Sequence, residues 1–379
     1  MQVPFIDIQA QNLAIKSQLQ AALEPVIDNA QFILGPAVER FEQAYAQYIG
    51  ANYCVGLNSG TTALHLALLA LDIGPGDEVI TTPHTWISTS WAISYVGAKP
   101  VFVDISPTTY TIDPQQVAQA ITARTKAILP VHLYGQACDM TALSEIAEHH
   151  NLFVVEDVAQ AHGARHAGRV LGSIGKIGCF SFYPGKNLGA FGEAGCIVTD
   201  DPQIDARIRR LRDHAQDGRH HHVEIGYNAR MEGVQGAVLE AKLQHLAHWN
   251  ASRSCIADTY QELLADVPEI QMPRTRDRNS HVWHLYVILS REVDRDVLKQ
   301  QLQRKGIATA VHYPTPVHLQ PAYAHLGYCS GDLPVAEDVA GHCLSLPMYP
   351  EMGRNQVEWV AHAVREACDK GKSGRSRAA

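Results

Sequence analysis

The chain has 379 residues, 46% of them apolar and 18% charged, the composition of a compact globular protein long enough to bury its core in two lobes. Its net charge of −8 comes from acidic and basic residues mixed along the sequence, which leaves no broad positive face for nucleic acid or an anionic membrane. The eight cysteines are scattered, Cys329 and Cys343 being the nearest pair, so neither a CxxC redox pair nor a paired-cysteine zinc site can be drawn.

The N-terminal MQVPFIDIQAQN has no basic residue before Lys16 and no long apolar run, which argues against a secretory signal and, with unpaired thiols, for the cytoplasm. Residues 53–57 (YCVGL) read as a strand that turns through Asn58 and Ser59 into the helix 61–71 (TTALHLALLAL). The uncharged stretch 79–98 is interrupted by Pro83, His84 and several Ser and Thr, so it reads as a buried strand followed by a helix and not as a membrane span.

Further along, EVITTP, KPVFVDI, KAILPVHLYG, LFVVEDVAQ, IGCFSFYPGK and GCIVTD are short apolar runs that alternate with helical patterns such as 140–149. Several are apolar on both alternating faces, as strands of a mostly parallel sheet covered by helices on each side are. The fold class is therefore α/β, with a large domain over residues 1–250. From 231 to 267 the pattern turns helical, and HVWHLYVIL (281–289), a helix near 297–304 and GIATAVHYP follow, which reads as a smaller C-terminal α+β domain over 251–368. Residues 369–379 (DKGKSGRSRAA) are small, basic and without apolar anchors, so disorder is expected there.

Chemistry concentrates in three places. At Asn58–Thr62 the free amides of a helix start converge on one spot, which suits a phosphate, although a plain capped strand–turn–helix joint has the same sequence. VVEDVAQAH ends a strand with Asp157, followed by Gln160 and His162, at the carboxyl edge where open α/β sheets bind ligands. A carboxylate buried there is costly unless a cation accompanies it, and a protonated pyridine nitrogen would serve; the alternative is a helix N-cap. Then SFYPGKNLGAFGEAG sets Lys186 between a Pro-Gly turn and Gly189, Gly192 and Gly195. Glycines would let backbone approach a flat cofactor bonded to the lysine, where a solvated loop lysine needs none of them. Phe180 and Asn187 break the P-loop pattern, GxGxxG after a strand and HExxH are absent, and the histidines 220–222 sit in a polar loop, so no metal site is assigned.

Taken in order, NSGTTALHLAL, EDVAQAHGA, SFYPGKNLGAFGEAG, GYNARM and HLQPAY resemble the DegT-type (DegT/DnrJ/StrS) sugar aminotransferases, enzymes dependent on pyridoxal 5'-phosphate (PLP) with the aspartate aminotransferase fold, fold type I. The resemblance spans nearly the whole chain. It implies that Lys186 carries the cofactor as a Schiff base, that Asp157 pairs with the pyridine nitrogen, and that Gln160 lies near the phenolic oxygen. Gly60, Thr61, Thr62 and Ser181 would hold the phosphate, and Asn228 of the GYN motif would reach the phosphate of a neighbouring subunit, so a homodimer would share its active sites. Trp86 is a candidate to stack on the ring, with a core aromatic as its plainer reading, as a turn residue is for Asn228. Tyr183, Arg230, Tyr313 and His318 match substrate-facing motifs, although HYPTPVHLQPAY could only connect the lobes.

Sugar dehydratases of the family have histidine at the lysine position, so Lys186 favours transamination. The implied substrates are L-glutamate as amino donor and a keto sugar, most simply a nucleotide-linked 3-keto-6-deoxyhexose. A 4-keto sugar nucleotide or a keto-octulosonate of lipopolysaccharide are alternatives, with a PLP-dependent dehydratase or a non-catalytic PLP-binding regulator behind them.

Overall fold

The computed structural model describes residues 1–375 and builds the large domain on a seven-stranded sheet. In chain order its strands are β1 (Tyr53–Leu57), β2 (Glu78–Thr81), β3 (Lys99–Phe102), β4 (Thr125–Ile128), β5 (Phe153–Asp157), β8 (Ile177–Ser181) and β9 (Gly195–Thr199), with the small hairpin β6 (Arg165–His166) and β7 (Arg169–Val170) between β5 and β8. The spatial order is β1-β9-β8-β5-β4-β2-β3. β9 pairs antiparallel with both neighbours and every other pairing is parallel. Each expected strand of this domain is present; β1 matches its expected bounds, and the parallel strands β2, β3, β4, β5 and β8 stop short of theirs because the residues after them turn into the loops of the ligand edge.

Two apolar layers cover the sheet. The helix Gly60–Ala70 presents Leu64, Leu66 and Leu68 to a core that includes Val55, Val79 and Ile197, and the helix Pro36–Ile49 presents Phe41 and Tyr45 to Phe180 and Phe182 on the other side. Burial on both faces explains why the strand sequences are apolar without alternation.

A second, three-stranded antiparallel sheet carries the C-terminal lobe, formed by β10 (Ile270–Gln271), β11 (Tyr286–Ser290) and β12 (Cys343–Leu346). The strand expected over 281–289 begins only at Tyr286, because Trp283 takes a positive φ of 47° and turns the chain first. The expected boundary after residue 250 falls inside the helix Leu246–Leu264. That helix starts with Leu246 in the main core and ends with Ile256, Tyr260 and Leu264 in the core of the small lobe, so one rod belongs to both. Val3 also joins the small-lobe core: its amide donates to Gly306 O and its carbonyl accepts from Ala308 N, so the first residues do not belong to the large domain alone. At the other end the helix Arg354–Arg375 runs on through residues expected to be a disordered tail, and 376–379 lie outside the described residues.

The edge strand β1 feeds the ligand edge and is tied down by charge. Glu42 accepts from Gly56 N at 2.7 Å, from Arg212 at 2.5 Å and from Arg209 at 2.8 Å. The two arginines in turn donate to the carbonyls of Gly56 and Cys54, which satisfies backbone groups that an edge strand leaves open. Glu42→Ala would strand the almost fully buried Arg212 guanidinium without its carboxylate. Denaturant melts of the cofactor-free protein should show a loss of about 3 kcal/mol.

Candidate active site

The carboxyl ends of the strands open into a cavity of about 670 Å³. Its wall comes from both lobes: Ser59, Asp157 and Lys186 stand on the large domain, His284 and Tyr313 on the small one, and Phe5 and Ile6 on the N-terminal segment.

One end is a cradle of donors. Ser59 caps the helix Gly60–Ala70 by accepting from Thr62 N at 3.1 Å, which leaves the first-turn amides of Gly60 and Thr61 without helical partners. Ser181, the last residue of β8, stands so near that a Cβ on Gly60 would lie 2.5 Å from its own Cβ. Thr61 Oγ1 donates to Ser88 Oγ at 2.9 Å, which brings a second helix start to the same place. Two unpaired amides and several hydroxyls at a helix N-terminus fit a phosphate. Behind the cradle His162 donates from Nε2 to Ser181 O and takes the Tyr45 hydroxyl at Nδ1, each at 2.9 Å. Burial draws His162 down to about 3, so it remains neutral.

The other end holds the two charged groups. Asp157 closes β5 and is buried; its Oδ2 accepts from Thr89 Oγ1 at 2.9 Å and its Oδ1 from Ala159 N at 3.1 Å. No helix starts there, so the N-cap reading does not hold. Burial pushes the Asp157 carboxyl up, while the two hydrogen bonds and the Lys186 charge pull it back. Lys186 shares the cavity, and burial brings its amine down to about 8 against the opposing pull of Asp157. A carboxylate in want of a cation and an amine partly free near neutral pH are the pair that a cationic ring with a reactive carbonyl requires.

Between them Gln160 accepts from Tyr134 N at 2.7 Å and donates to the Tyr313 hydroxyl at 3.1 Å. Tyr313 lies 5.8 Å from the Trp86 ring, tilted by 45°. Trp86 is 58% exposed and lines the cavity, so it is no core aromatic. Tyr183 stands exposed at the rim.

Not every expected residue is brought in. The amide of Thr62 is used on Ser59, and its hydroxyl lies 2.9 Å from the same Oγ, so it completes the cap and does not line the cavity. His318 is a correction: a short turn carries it inward, its side chain is fully buried, and Nε2 pairs with Glu337 at 3.2 Å. Asn228 and Arg230 also lie outside this chain's cavity; Asn228 Oδ1 accepts from Arg230, which pairs with Asp213. The glycines after Lys186 act differently from expectation. None of the three lines the cavity: a Cβ on Gly189 would strike Pro184 O at 2.3 Å, and one on Gly195 would strike Ser59 at 2.4 Å. They let the loop fold on itself and let β9 approach the cradle. Sequence reasoning missed Thr89, Glu193, His284 and His312, which all line the cavity. Glu193 stands inside the quoted glycine motif, while the others sit in apolar or Thr-rich stretches with no spacing signal.

The sequence model of the DegT/DnrJ/EryC1/StrS aminotransferase family matches residues 13–365. The chain belongs to this family. Among its DegT-family relatives, the erythromycin biosynthesis sensory transduction protein EryC1 of Saccharopolyspora erythraea is 48% identical, over 96% of this chain and 99% of its own. The dTDP-3-amino-3,4,6-trideoxy-alpha-D-glucose transaminase of Streptomyces venezuelae is 46% identical over 97% of each chain. The crystal structure of S. venezuelae DesV in complex with a ketimine intermediate superposes with a TM-score of 0.95 at 46% identity, covering 97% of this chain and 99% of that one. DegT-family aminotransferases bind PLP, and the cradle, the amine and the acid fit its phosphate, aldehyde and ring nitrogen.

Two outcomes follow for the cofactor-free protein. Gly60→Ala forces its methyl against Ser181 and should weaken PLP capture by at least about tenfold in an absorbance titration. The rate at which Lys186 reacts with an amine-labelling reagent should rise with pH and level off just above pH 8, whereas an ordinary lysine keeps gaining reactivity to about pH 10.

Proposed function

We propose that the protein is a PLP-dependent aminotransferase that moves an amino group from L-glutamate to a keto sugar carried on a nucleotide, most simply a 3-keto-6-deoxyhexose, in amino-sugar biosynthesis. The observation that carries this is the convergence of Lys186, Asp157 and the Gly60–Thr61–Ser181 cradle in one cavity of a DegT-family chain. Bound there, PLP supplies an aldehyde that condenses with primary amines and a cationic ring that draws electrons from the attached carbon.

The chain's own groups do the rest. Near neutral pH a useful fraction of Lys186 Nζ is unprotonated, so it can attach the cofactor and, once displaced by the amino donor, take up the proton of the donor's α-carbon. The same Nζ then returns a proton to the sugar carbon. Asp157 would hold the ring nitrogen in its protonated form, and the bonds from Thr89 and Ala159 fix both carboxylate oxygens for that task. Gly60, Thr61 and Ser181 would hold the phosphate, Trp86 and Gln160 would hold the ring, and Tyr183 and Tyr313 would meet substrate.

The dimer belongs to the same reading. Asn228 and Arg230 lie outside the lining of their own cavity, on a segment that also bears Ile225 at 87% exposure. In a homodimer this surface would be covered and both side chains would enter the neighbouring site, Asn228 at the phosphate and Arg230 at substrate. The cytoplasm is the expected location; among the described residues no helix is long and apolar enough to cross a membrane. The 3-keto assignment draws on the SFYPGKNLGA stretch and on the S. venezuelae relative, whose name places the amine at carbon 3.

The regulator reading has one point in its favour, the sensory name of the S. erythraea relative. Glutamate discriminates: an aminotransferase converts its bound cofactor to the pyridoxamine form, visible as loss of the aldehyde absorbance, and a regulator or dehydratase does not. A panel of 3-keto and 4-keto sugar nucleotides that restores the aldehyde form then identifies the acceptor. Lys186→Ala should abolish both half-reactions and the borohydride-reducible link to the cofactor. Asp157→Asn should still bind PLP while turnover falls by at least about 100-fold; unchanged turnover would remove the ring-nitrogen role.

A further inference from the structure

Tyr134 sets the direction of the hydrogen bonds where the two lobes meet. Its backbone amide, which can only donate, reaches Gln160 Oε1 at 2.7 Å, so the nitrogen of that side-chain amide points the other way and a flipped amide is excluded. Gln160 Nε2 accordingly donates to Tyr313 Oη at 3.1 Å. An amide nitrogen cannot accept, so Tyr313 accepts this bond and keeps its own hydroxyl hydrogen. The Tyr134 hydroxyl holds the same stretch from a second side: it donates to the backbone carbonyl of His312 and takes a hydrogen from His84 Nε2, 2.7 Å away. Burial draws His84 down to about 3, so that ring is neutral.

Among the described residues the Tyr313 hydrogen has no acceptor, and Tyr313 and Gln160 both line the cavity. Burial pushes the Tyr313 phenol well up, the Gln160 bond pulls it back and the Asp157 charge adds to the rise, so the group stays a neutral donor. Other hydroxyls of the wall are engaged: Thr89 Oγ1 donates to Asp157, so Thr85, 3.0 Å away, must donate to Thr89, and the cradle hydroxyls face the phosphate place. Tyr183 stands at the exposed rim. Burial keeps His284 and His312 neutral, which leaves Lys186 as the one cation in the lining among the described residues, and its amine is taken up by the cofactor. What this chain can offer a bound carboxylate is therefore a neutral hydrogen donor.

We propose that the Tyr313 hydroxyl is this chain's hydrogen donor to a carboxylate oxygen of the bound amino acid, with Tyr134 setting its direction through Gln160. A phenol that donates to a carboxylate makes a short, charge-assisted bond. It also leaves no buried charge unpaired when an uncharged sugar ring takes the same place, so one pocket can serve two unlike substrates in turn. The direction of the hydroxyl stands on the structure alone, and the carboxylate assignment rests on the aminotransferase reading.

The test uses the full-length PLP-loaded protein and glutarate, a dicarboxylate without an amino group, which can take the place of the amino donor but cannot react. Calorimetry should show Tyr313→Phe raising the glutarate dissociation constant at least about tenfold. PLP capture by the cofactor-free variant, followed by absorbance, should stay within about threefold of wild type. Unchanged glutarate binding overturns the inference, and so does a parallel loss of PLP capture, which would mean that the residue shapes the site as a whole. A crystal structure of the loaded protein with glutarate should place a carboxylate oxygen about 2.7 Å from Tyr313 Oη. Glutarate seated elsewhere, or not bound, overturns the inference, and this measurement decides if the variant does not fold. Should glutarate depend on Tyr313 while glutamate leaves the aldehyde absorbance unchanged, the aminotransferase reading fails and the carboxylate subsite stands. Should glutamate convert the cofactor while glutarate binds without regard to Tyr313, the subsite fails and that reading stands.

Discussion

A buried carboxylate and a buried amine share one cavity, and most of what surrounds them follows from the cost of keeping them there. Asp157 lacks enough hydrogen bonds to offset its burial, and Lys186 lacks enough negative charge to remain an ordinary ammonium. A planar cation would stabilise the Asp157 carboxylate, and a carbonyl on it would take up the Lys186 amine in its uncharged form. The sheet edge, the helix start at Gly60 and Trp86 line the space between them. The nearby histidines His162, His284 and His312 are all neutral, so Lys186 meets no competing cation from them.

Much of this was legible in the sequence, and the reason is physical. Parallel strands buried on both faces read as unbroken apolar runs, and β2, β5 and β8 stand where those runs are. Asp157 and Lys186 were legible because each lies at a strand end or in a turn whose composition has little structural reason of its own. The C-terminal lobe was harder. A single helix, Leu246–Leu264, serves two cores, and composition does not change at the point where it passes from one to the other. His318 was expected at the site because its stretch matches a substrate-facing motif of the family, and in this chain a short turn and Glu337 draw it inward.

Residues whose role lies in orienting others left the weakest trace. Thr89 acts through one hydrogen bond to Asp157, and such a bond joins positions far apart in the chain. Asn228 and Arg230 show a different limit: they do not line the cavity of their own chain, and any role in a neighbouring site would belong to an assembly and not to a single fold.

The segment around Val3 has a consequence for folding. Val3 bonds to residues 306 and 308, and Phe5 and Ile6 wall the same cavity as Tyr313 and Met348. These two stretches must meet before the chamber is closed, a contact of very long sequence separation. Stable retention of a ligand in that chamber would report that both lobes have folded and that this distant pairing has been made.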